Sequence, residues 1–206
     1  MTAPKQDLKK VHRSVYSATT EPAMVDVPEL PFLMIDGAGD PNSDGYRAAV
    51  EALYGAAYGI RFALKNSGIL EYPVMPSQGL WWTAEPHGYT QDGDRADWRW
   101  TMMIMQPPQV TPELVADTIA AVASKKPGLP VEGVRLANHA EGRCSQILHV
   151  GPFRTEPATI DRLHAFIADN AMVIAGRHHE IYLSNPNRTA PEKMRTIIRY
   201  PVRPTR

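Results

Sequence analysis

One pattern occurs twice in the chain: a threonine, a run of apolar residues and a closing proline. Residues 101–107 read Thr-Met-Met-Ile-Met-Gln-Pro, and residues 196–201 read Thr-Ile-Ile-Arg-Tyr-Pro. Apolar runs of this length that stop at a turn-forming residue are typical of buried strands. The repetition constrains the fold strongly, because it predicts that the chain is built from two similar units.

The segments that precede these two strands also correspond, since both read as strand, helix, strand. We therefore predict a duplicated strand-helix-strand-strand (βαββ) unit, with half-repeats at about residues 31–107 and 143–203. Between them, the Thr-Pro-Glu sequence from residue 111 supplies a cap, a first-turn proline and a first-turn acid. It predicts a linking helix over about residues 111–126.

The sequence thus predicts an α+β fold in which residues 1–206 form a single domain. Two βαββ units can pair their strands about a pseudo-twofold axis into one antiparallel sheet, with the helices on one side. We expect a ligand cleft on the opposite, concave side, because interfaces between halves favour pockets.

Composition and motifs argue against several classes of function. Basic and acidic residues number 22 each, so the chain lacks the basic field that direct nucleic-acid binding needs. No apolar run is long enough for a membrane span, the N-terminus has no signal-peptide core, and Cys144 is the only cysteine, so we expect a cytoplasmic protein. Gly37 and Gly39 lack the third glycine of a dinucleotide fingerprint, and His178 and His179 diverge on a strand; no cofactor and no metal site is predicted.

Residues 176–184 read as a short strand with one acid, Glu180, at its centre. Strand alternation directs Glu180 and Tyr182 to one face and the apolar residues to the other. A carboxylate in a packed domain is costly unless it is solvated, paired or used. Glu180 is therefore an exposed strand residue, a partner of Arg177 or Arg195, or the reactive group of a pocket.

The four tryptophans lie in the second and third predicted strands of the first unit. The neighbours Trp81 and Trp82 must point to opposite faces, whereas Trp98 and Trp100 share a face. These rings either complete the core or form an aromatic wall beside Glu180. Such walls bind flat or cationic organic molecules by stacking and cation–π contacts.

The chain also resembles a known family, in motifs that follow one another along nearly its whole length. The motifs are Val25-Asp-Val-Pro28, Phe32-Leu-Met-Ile-Asp-Gly-Ala-Gly-Asp-Pro41, Gly79-Leu-Trp-Trp82, Trp98-Arg-Trp-Thr-Met-Met-Ile-Met-Gln-Pro107, Glu141-Gly142, His149-Val-Gly-Pro-Phe153 and His179-Glu-Ile-Tyr-Leu183. They are similar to those of the stand-alone GyrI-like small-molecule-binding proteins. The resemblance implies a duplicated βαββ fold of the SHS2 type, like the effector domains of BmrR-type activators, with a central aromatic cleft and an acid at its floor.

The family's motifs also imply site residues. Its acid falls on Glu180 and its tyrosine on Tyr182, which we predict as catalytic residues. Relatives often carry an acid where this chain has Gln78, which implies weaker chemistry or a different ligand. The residues predicted to contact a ligand are Tyr54, Trp81, Trp82, Trp100, His149 and Phe153.

The resemblance implies two main functions for a small, lipophilic aromatic partner. One subfamily consists of cyclopropanoid cyclopropyl hydrolases, which open spirocyclopropane DNA-alkylating antibiotics. In that case Glu180 activates water, and Tyr182 or His149 donates to the developing oxyanion. The alternative is a non-catalytic protein that sequesters or senses lipophilic aromatic or cationic ligands, with Glu180 as the counter-charge. An interaction with gyrase is a third, weaker option, and neither nucleic acid nor membrane is an expected partner.

Overall fold

The computed structural model describes residues 3–84, 93–185 and 187–205. The strands are β1 (Ala23–Val27), β2 (Leu30–Ala38), β3 (Ser77–Trp82), β4 (Arg99–Met105), β5 (Arg135–His139), β6 (Gly142–Val150), β7 (Met172–Ile174), β8 (His178–Tyr182) and β9 (Arg195–Pro204). The helices are α1 (Leu8–Val11), α2 (Arg13–Tyr16), α3 (Asp44–Asn66), α4 (Pro112–Lys125) and α5 (Pro157–Asp169). The sequence predicts the polar stretch of residues 87–94 as the connection between β3 and β4, and residues 87–92 of it lie outside the described residues.

The strands form one antiparallel sheet in the order β1-β6-β9-β8-β3-β4-β2-β5, and β7 pairs with β9. The first unit contributes β2-β4-β3 and the second contributes β6-β9-β8, so the two units have the same strand order. They meet at the pairing of β3 with β8, which brings Gly79 opposite Glu180. This is the predicted α+β fold with an antiparallel sheet built from a duplicated βαββ unit.

The long helix α3 has a clear start and end in the sequence. The Tyr46 N–H donates to the Ser43 hydroxyl oxygen over 3.2 Å, which caps the first turn. The helix stops before Gly68, whose φ of +75° is a left-handed conformation that glycine adopts without strain. A Cβ at Gly59 would lie 2.5 Å from the Thr118 methyl group, so this glycine lets α4 pack closely against α3.

The two faces of the sheet are covered differently. Helices α3 and α5 pack on one face, α3 against β2 and β4 and α5 against β6 and β7. On the opposite face, residues 15–17 lie against the central strands: the Val15 and Ser17 carbonyls accept hydrogen bonds from Arg199 on β9 and Gln146 on β6, and the Tyr16 hydroxyl accepts from Gln78 on β3. The prediction of a cleft at the centre of the side away from the helices is therefore wrong, because the N-terminal segment occupies that place.

A buried polar cluster joins the N-terminal segment to this opposite face. The Arg199 guanidinium, which is fully buried, donates to Glu141 Oε2 over 3.0 Å and to Gln146 Oε1 over 2.8 Å. The second Glu141 oxygen lies 2.8 Å from His179 Nδ1. Buried charges are tolerated only when they are paired and hydrogen-bonded, and this cluster meets both conditions.

The charge state of Glu141 follows from these contacts. Burial raises the pKa of a carboxyl group, but His179 and Arg199 outweigh burial here and lower the pKa of Glu141 from 4.5 to about 2. Because the pKa of Glu141 is lower in the folded protein than in the unfolded chain, the ionised carboxylate stabilises the fold at pH values above about 4.5. That contribution is lost as the pH falls through the folded value.

No helix among the residues that the structure describes has both the length and the apolar composition to cross a membrane.

We expect Glu141→Gln to lower the free energy of unfolding at neutral pH by about 3 kcal/mol, because it leaves Arg199 buried without its counter-charge. The unmodified protein should lose stability as the pH falls from 4.5 towards about 2, whereas the variant should vary much less over this range. Urea unfolding at a series of pH values measures both effects. Glu21→Gln is the control, since the Glu21 side chain is 78% exposed in its pair with Arg162 and should contribute little. Equal stability of Glu141→Gln and the unmodified protein would contradict a role for the cluster.

Candidate functional site

A cleft of about 780 Å³ lies on the helix-covered face of the sheet, above the junction of β3 and β8. One wall is formed by α3, the floor by β3, β4 and β8, and the far wall by residues that follow β6 and β8. Lys9 and Arg95 stand among the lining residues as cations, and Glu180 is the acid among the described lining residues. Such a volume suits a drug-sized organic molecule.

Glu180 lies in the floor of this cleft and is 4% exposed. His178 Nε2 lies 2.8 Å from Glu180 Oε1, and His178 Nδ1 lies 2.6 Å from the Tyr200 hydroxyl oxygen. A carboxylate oxygen accepts hydrogen bonds, so both contacts of the ring are satisfied when His178 donates from Nε2 to Glu180 and the Tyr200 hydroxyl donates to Nδ1. The result is a chain from Tyr200 through His178 to Glu180 that holds the carboxylate in one orientation.

Two tyrosines near Glu180 are kept in their neutral form. Burial, and to a smaller extent the negative charge of Glu180, raises the pKa of Tyr46 and of Tyr200. Both hydroxyl groups therefore keep their protons at physiological pH. The environment of Glu180 thus contains neutral donors and aromatic rings.

Aromatic rings surround the carboxylate. The Trp81 indole N–H donates to the Tyr182 hydroxyl oxygen over 3.0 Å. Tyr46 stacks on Trp81 with ring centroids 6.0 Å apart, and Trp98 meets Trp81 edge-on at 5.8 Å. Phe153 meets the Tyr182 ring edge-on at 5.8 Å. Offset and edge-on ring contacts of this kind restrain the rings and leave flat apolar surface for a ligand.

Of the residues predicted from the sequence, five lie together in this cleft. They are Tyr54, Trp81, Phe153, Glu180 and Tyr182. The alternative in which Glu180 pairs with Arg177 is wrong, because the Arg177 guanidinium stacks on the Trp82 ring, 3.5 Å from its centroid, on the other face of the sheet.

The structure corrects the prediction for two tryptophans. Trp82 follows Trp81 on β3 and therefore points to the opposite face, where Arg177 covers it. Trp100 shares the cleft face but lies behind Tyr46, which it meets edge-on at 5.0 Å. Its ring fills the space above Gly37, where a Cβ would lie 2.1 Å from it. Neither ring lines the cleft, so Trp82 and Trp100 are packing residues.

The structure also corrects the prediction for His149, which we predicted as a ligand contact and as a donor to the oxyanion; it is a structural residue. It is 4% exposed, and its ring nitrogens lie 2.9 Å from the Thr159 hydroxyl, 3.2 Å from the Thr155 hydroxyl and 3.3 Å from the Pro152 carbonyl oxygen. Burial lowers its pKa, against the effects of the Pro152 carbonyl and of Glu180. His149 thus fixes the turn that carries Phe153 to the cleft.

The comparisons with known proteins identify the family. Residues 20–203 match the model of the GyrI-like small molecule binding domain. The chain belongs to the GyrI-like family. No curated protein matches it with significance.

Solved structures of other proteins share the fold over nearly the whole length of this chain. An uncharacterized conserved protein from Listeria innocua is 37% identical, with a TM-score of 0.89 and coverage of 96% of this chain and 99% of that one. A hydrolase from Listeria innocua is 36% identical, with a TM-score of 0.87 and coverage of 97% and 100%. The EcmrR C-terminal domain, at 9% identity and a TM-score of 0.57 over 90% of this chain and 98% of that one, shares the fold alone.

The departure at Gln78 does not change the charge of the GyrI-like cleft. Gln78 is fully buried on the opposite face of the sheet, where its amide nitrogen donates to the Tyr16 hydroxyl over 2.6 Å. Its amide oxygen lies 2.9 Å from His179 Nε2. Gln78 therefore belongs to the cluster around Glu141 and not to the described lining of the cleft, and the implied weaker chemistry or different ligand stays a prediction.

Sequence reasoning missed several residues that form this site. They are Tyr46, Tyr58, His178 and Tyr200. The tyrosines of α3 carry a signal that identifies them, because positions 46, 54 and 58 fall on one side of a helix at spacings of four and eight residues. The link between His178 and Tyr200 has no such local signal. Among the described residues, no three His, Cys, Asp or Glu side chains form a possible metal site.

We expect Gly79→Ala to disturb the cleft. A Cβ at this position would lie 2.5 Å from the Trp81 indole nitrogen and 2.9 Å from the Tyr182 hydroxyl oxygen, so at least one rigid ring must move. The hydrogen bond between them should break, and overpacking of this kind costs about 1–3 kcal/mol of stability. Near-ultraviolet circular dichroism and thermal unfolding measure the two effects.

Gly45→Ala is the matched control for this substitution. A Cβ at Gly45, in the first turn of α3, meets only the Ser43 hydroxyl at 4.0 Å. It should leave the tryptophan signal unchanged and keep or slightly raise stability, since alanine is the better helix former. An unchanged tryptophan signal in Gly79→Ala would contradict the close packing at Gly79.

Proposed function

We propose that this GyrI-like protein is a hydrolase that opens the cyclopropane ring of spirocyclopropane DNA-alkylating compounds by adding water. The observation that carries the proposal is the position of Glu180, a carboxylate in the floor of an aromatic cleft with its orientation held by His178 at 2.8 Å. The similarity to a Listeria innocua hydrolase at 36% identity over nearly the whole chain supports it. Proteins of this class would protect a cell against such antibiotics.

The reaction adds one water molecule to a strained ring that is fused to a cyclohexadienone. The water oxygen bonds to the cyclopropane methylene carbon while the bond from that carbon to the spiro carbon breaks. The electron pair of the broken bond enters the dienone, which becomes a phenolate. Glu180 takes a proton from the water, and a proton returned to the phenolate oxygen completes the addition.

The residues of the cleft fit the roles that this reaction needs. Glu180 is the general base, a role that contributes about 10²–10⁴-fold when the base is positioned. Its orientation is fixed by His178, which is in turn fixed by Tyr200. The Tyr182 hydroxyl, whose oxygen accepts from Trp81, stands on the same face of β8 and is the donor to the developing oxyanion. The rings of Tyr46 and Trp81 would stack on the planar substrate.

A second candidate function is favoured by one feature of the cleft. An acid among aromatic rings is also the arrangement that binds a lipophilic cation, by charge and by cation–π contact. In that case the protein sequesters or senses its ligand and leaves it chemically unchanged. The hydrolase and the binder differ in one observable, the formation of a water adduct.

We expect Glu180→Gln to lower the rate of water-adduct formation by at least about a hundredfold, because the amide cannot accept the proton. The purified protein is incubated with a spirocyclopropane alkylator, and the product heavier by one water is quantified by mass spectrometry. Drug binding, measured by quenching of tryptophan fluorescence, should persist in the variant. Glu51→Gln is the control: Glu51 lies on α3, 55% exposed in its pair with Lys126, and should not change the rate.

The outcomes separate the alternatives. Unchanged turnover by Glu180→Gln would remove Glu180 from the mechanism. No turnover by the unmodified protein, with tight binding of a cationic dye that Glu180→Gln weakens, would make the protein a binder and end the catalytic assignment.

Tyr200→Phe tests whether the Tyr200 hydroxyl, acting through His178, positions Glu180 as the base. The hydroxyl that this variant loses contacts His178 and is not part of the cleft lining, so we expect kcat to fall about three- to tenfold and the affinity for the drug to stay unchanged. Tyr72→Phe is the matched control, because it removes a buried hydroxyl that contacts Gln106 at 3.3 Å instead. An equal loss of affinity and kcat in Tyr200→Phe would indicate a general packing defect and contradict the positioning role.

A further inference from the structure

Three aromatic side chains form a row on α3 that begins in the cleft and continues outside it. Tyr54, Tyr58 and Phe62 are spaced four residues apart, so they lie above one another on the helix surface. The ring centroids are 6.3 Å apart for Tyr54 and Tyr58 and 6.4 Å apart for Tyr58 and Phe62, with planes inclined by 30° and 29°. We call these three side chains the aromatic shelf. It follows eight residues of helix, or about 12 Å.

The outer part of the aromatic shelf is exposed although its residues are large and apolar. Tyr58 is 48% exposed and Phe62 is 50% exposed, whereas Ile60 and Leu64 on the inner side of α3 are buried. The helix is therefore anchored to the sheet without the shelf. Contiguous exposed apolar surface of this kind marks a binding site more often than single exposed residues do.

Both ends of the aromatic shelf are held in place. The Tyr54 hydroxyl donates to the Ser77 hydroxyl oxygen over 3.1 Å. The Arg61 guanidinium lies 5.1 Å from the Phe62 ring centroid, and its Nε donates to the Tyr72 carbonyl oxygen over 2.7 Å. Rings that are fixed before a ligand arrives lose little conformational freedom on binding.

The shelf is continuous with the cleft, since Tyr54 and Tyr58 line it and Phe62 extends the row beyond it. We propose that the aromatic shelf is a second ligand subsite, which binds a second flat aromatic unit of an elongated molecule whose first ring system lies over Glu180. The chemical class is that of linked planar ring systems. The proposal rests on ligand binding in the cleft and needs no turnover.

The size of the shelf favours a ligand over a second copy of the chain. An aromatic side chain offers about 150–250 Å² in all, so two half-exposed rings present on the order of 200 Å². A stable protein interface buries roughly 800 Å² on each partner. A row one ring wide matches one planar unit of a small molecule.

A pair of dyes of different length tests the proposal. The probes are a bisbenzimidazole dye and the shorter phenylbenzimidazole, with affinities measured by tryptophan quenching in the full chain. The unmodified protein should bind the long dye more tightly. In Phe62→Ser the affinity for the long dye should fall about three- to tenfold, the range for one ring contact, and the affinity for the short dye should not change.

The control variant is Ile69→Ser, which removes an apolar side chain of the same 50% exposure that follows the end of α3 and is not one of the three shelf residues. It should leave both affinities unchanged. Equal affinities of the unmodified protein for the two dyes, or an equal loss of both in Phe62→Ser, would overturn the proposal. A smaller molar mass by sedimentation equilibrium for Phe62→Ser than for the unmodified protein would also overturn it, because the shelf would then be a contact between copies of the chain. A failure of the hydrolase assay has no bearing on these affinities.

Discussion

The pairing of β3 with β8 is the contact on which the rest of the structure depends. It joins the two βαββ units and sets the register Gly79 to Glu180 and Trp81 to His178. Because side chains alternate along a strand, this register places Trp81, Glu180 and Tyr182 on the cleft face. A slip of one residue would exchange Glu180 for His179 in the cleft. Gly79 has no side chain, and the Trp81 and Tyr182 side chains occupy the space that a side chain at this position would need. Their hydrogen bond therefore forms directly beside the carboxylate.

The two faces of this junction hold two acids in contrasting environments. On one face Glu141 is compensated by Arg199 and His179, and its lowered pKa keeps it ionised and paired. On the other face Glu180 is oriented by His178 in a cleft walled by rings. The first acid holds Arg199, which donates to the Val15 carbonyl of the N-terminal segment, and the second lies in the floor of the cleft. Adjacent residues of β8 serve both, since His179 belongs to the first cluster and His178 and Glu180 belong to the cleft.

The difference between what the sequence predicts and what the structure shows has a physical pattern. Local periodicity is enough to place the strand around Glu180, predicted within residues 176–184 and found at His178–Tyr182, and to show that Trp81 and Trp82 face opposite ways. Periodicity does not say which face is the cleft, because both faces of the central strands are buried. That choice depends on where residues 15–17 pack, and nothing local in a polar lead-in predicts it. For the same reason the sequence does not show that Gln78 lies behind the floor of the cleft.

The hydrogen bonds that connect Glu180 through His178 to Tyr200 show that the two βαββ units contribute differently to the site. In the first unit the long helix α3 lines the cleft with aromatic rings, whereas in the second unit the shorter α5 closes a separate small core with Ile147, Leu163 and Ile198. Tyr200 belongs to that second core, and His164 of α5 packs edge-on against its ring at 5.0 Å. The hydroxyl that fixes His178 is therefore anchored in packed protein and not in the open cleft. The first unit thus supplies most of the aromatic surface of the cleft, and the second supplies the packed support that keeps the Glu180 carboxylate oriented.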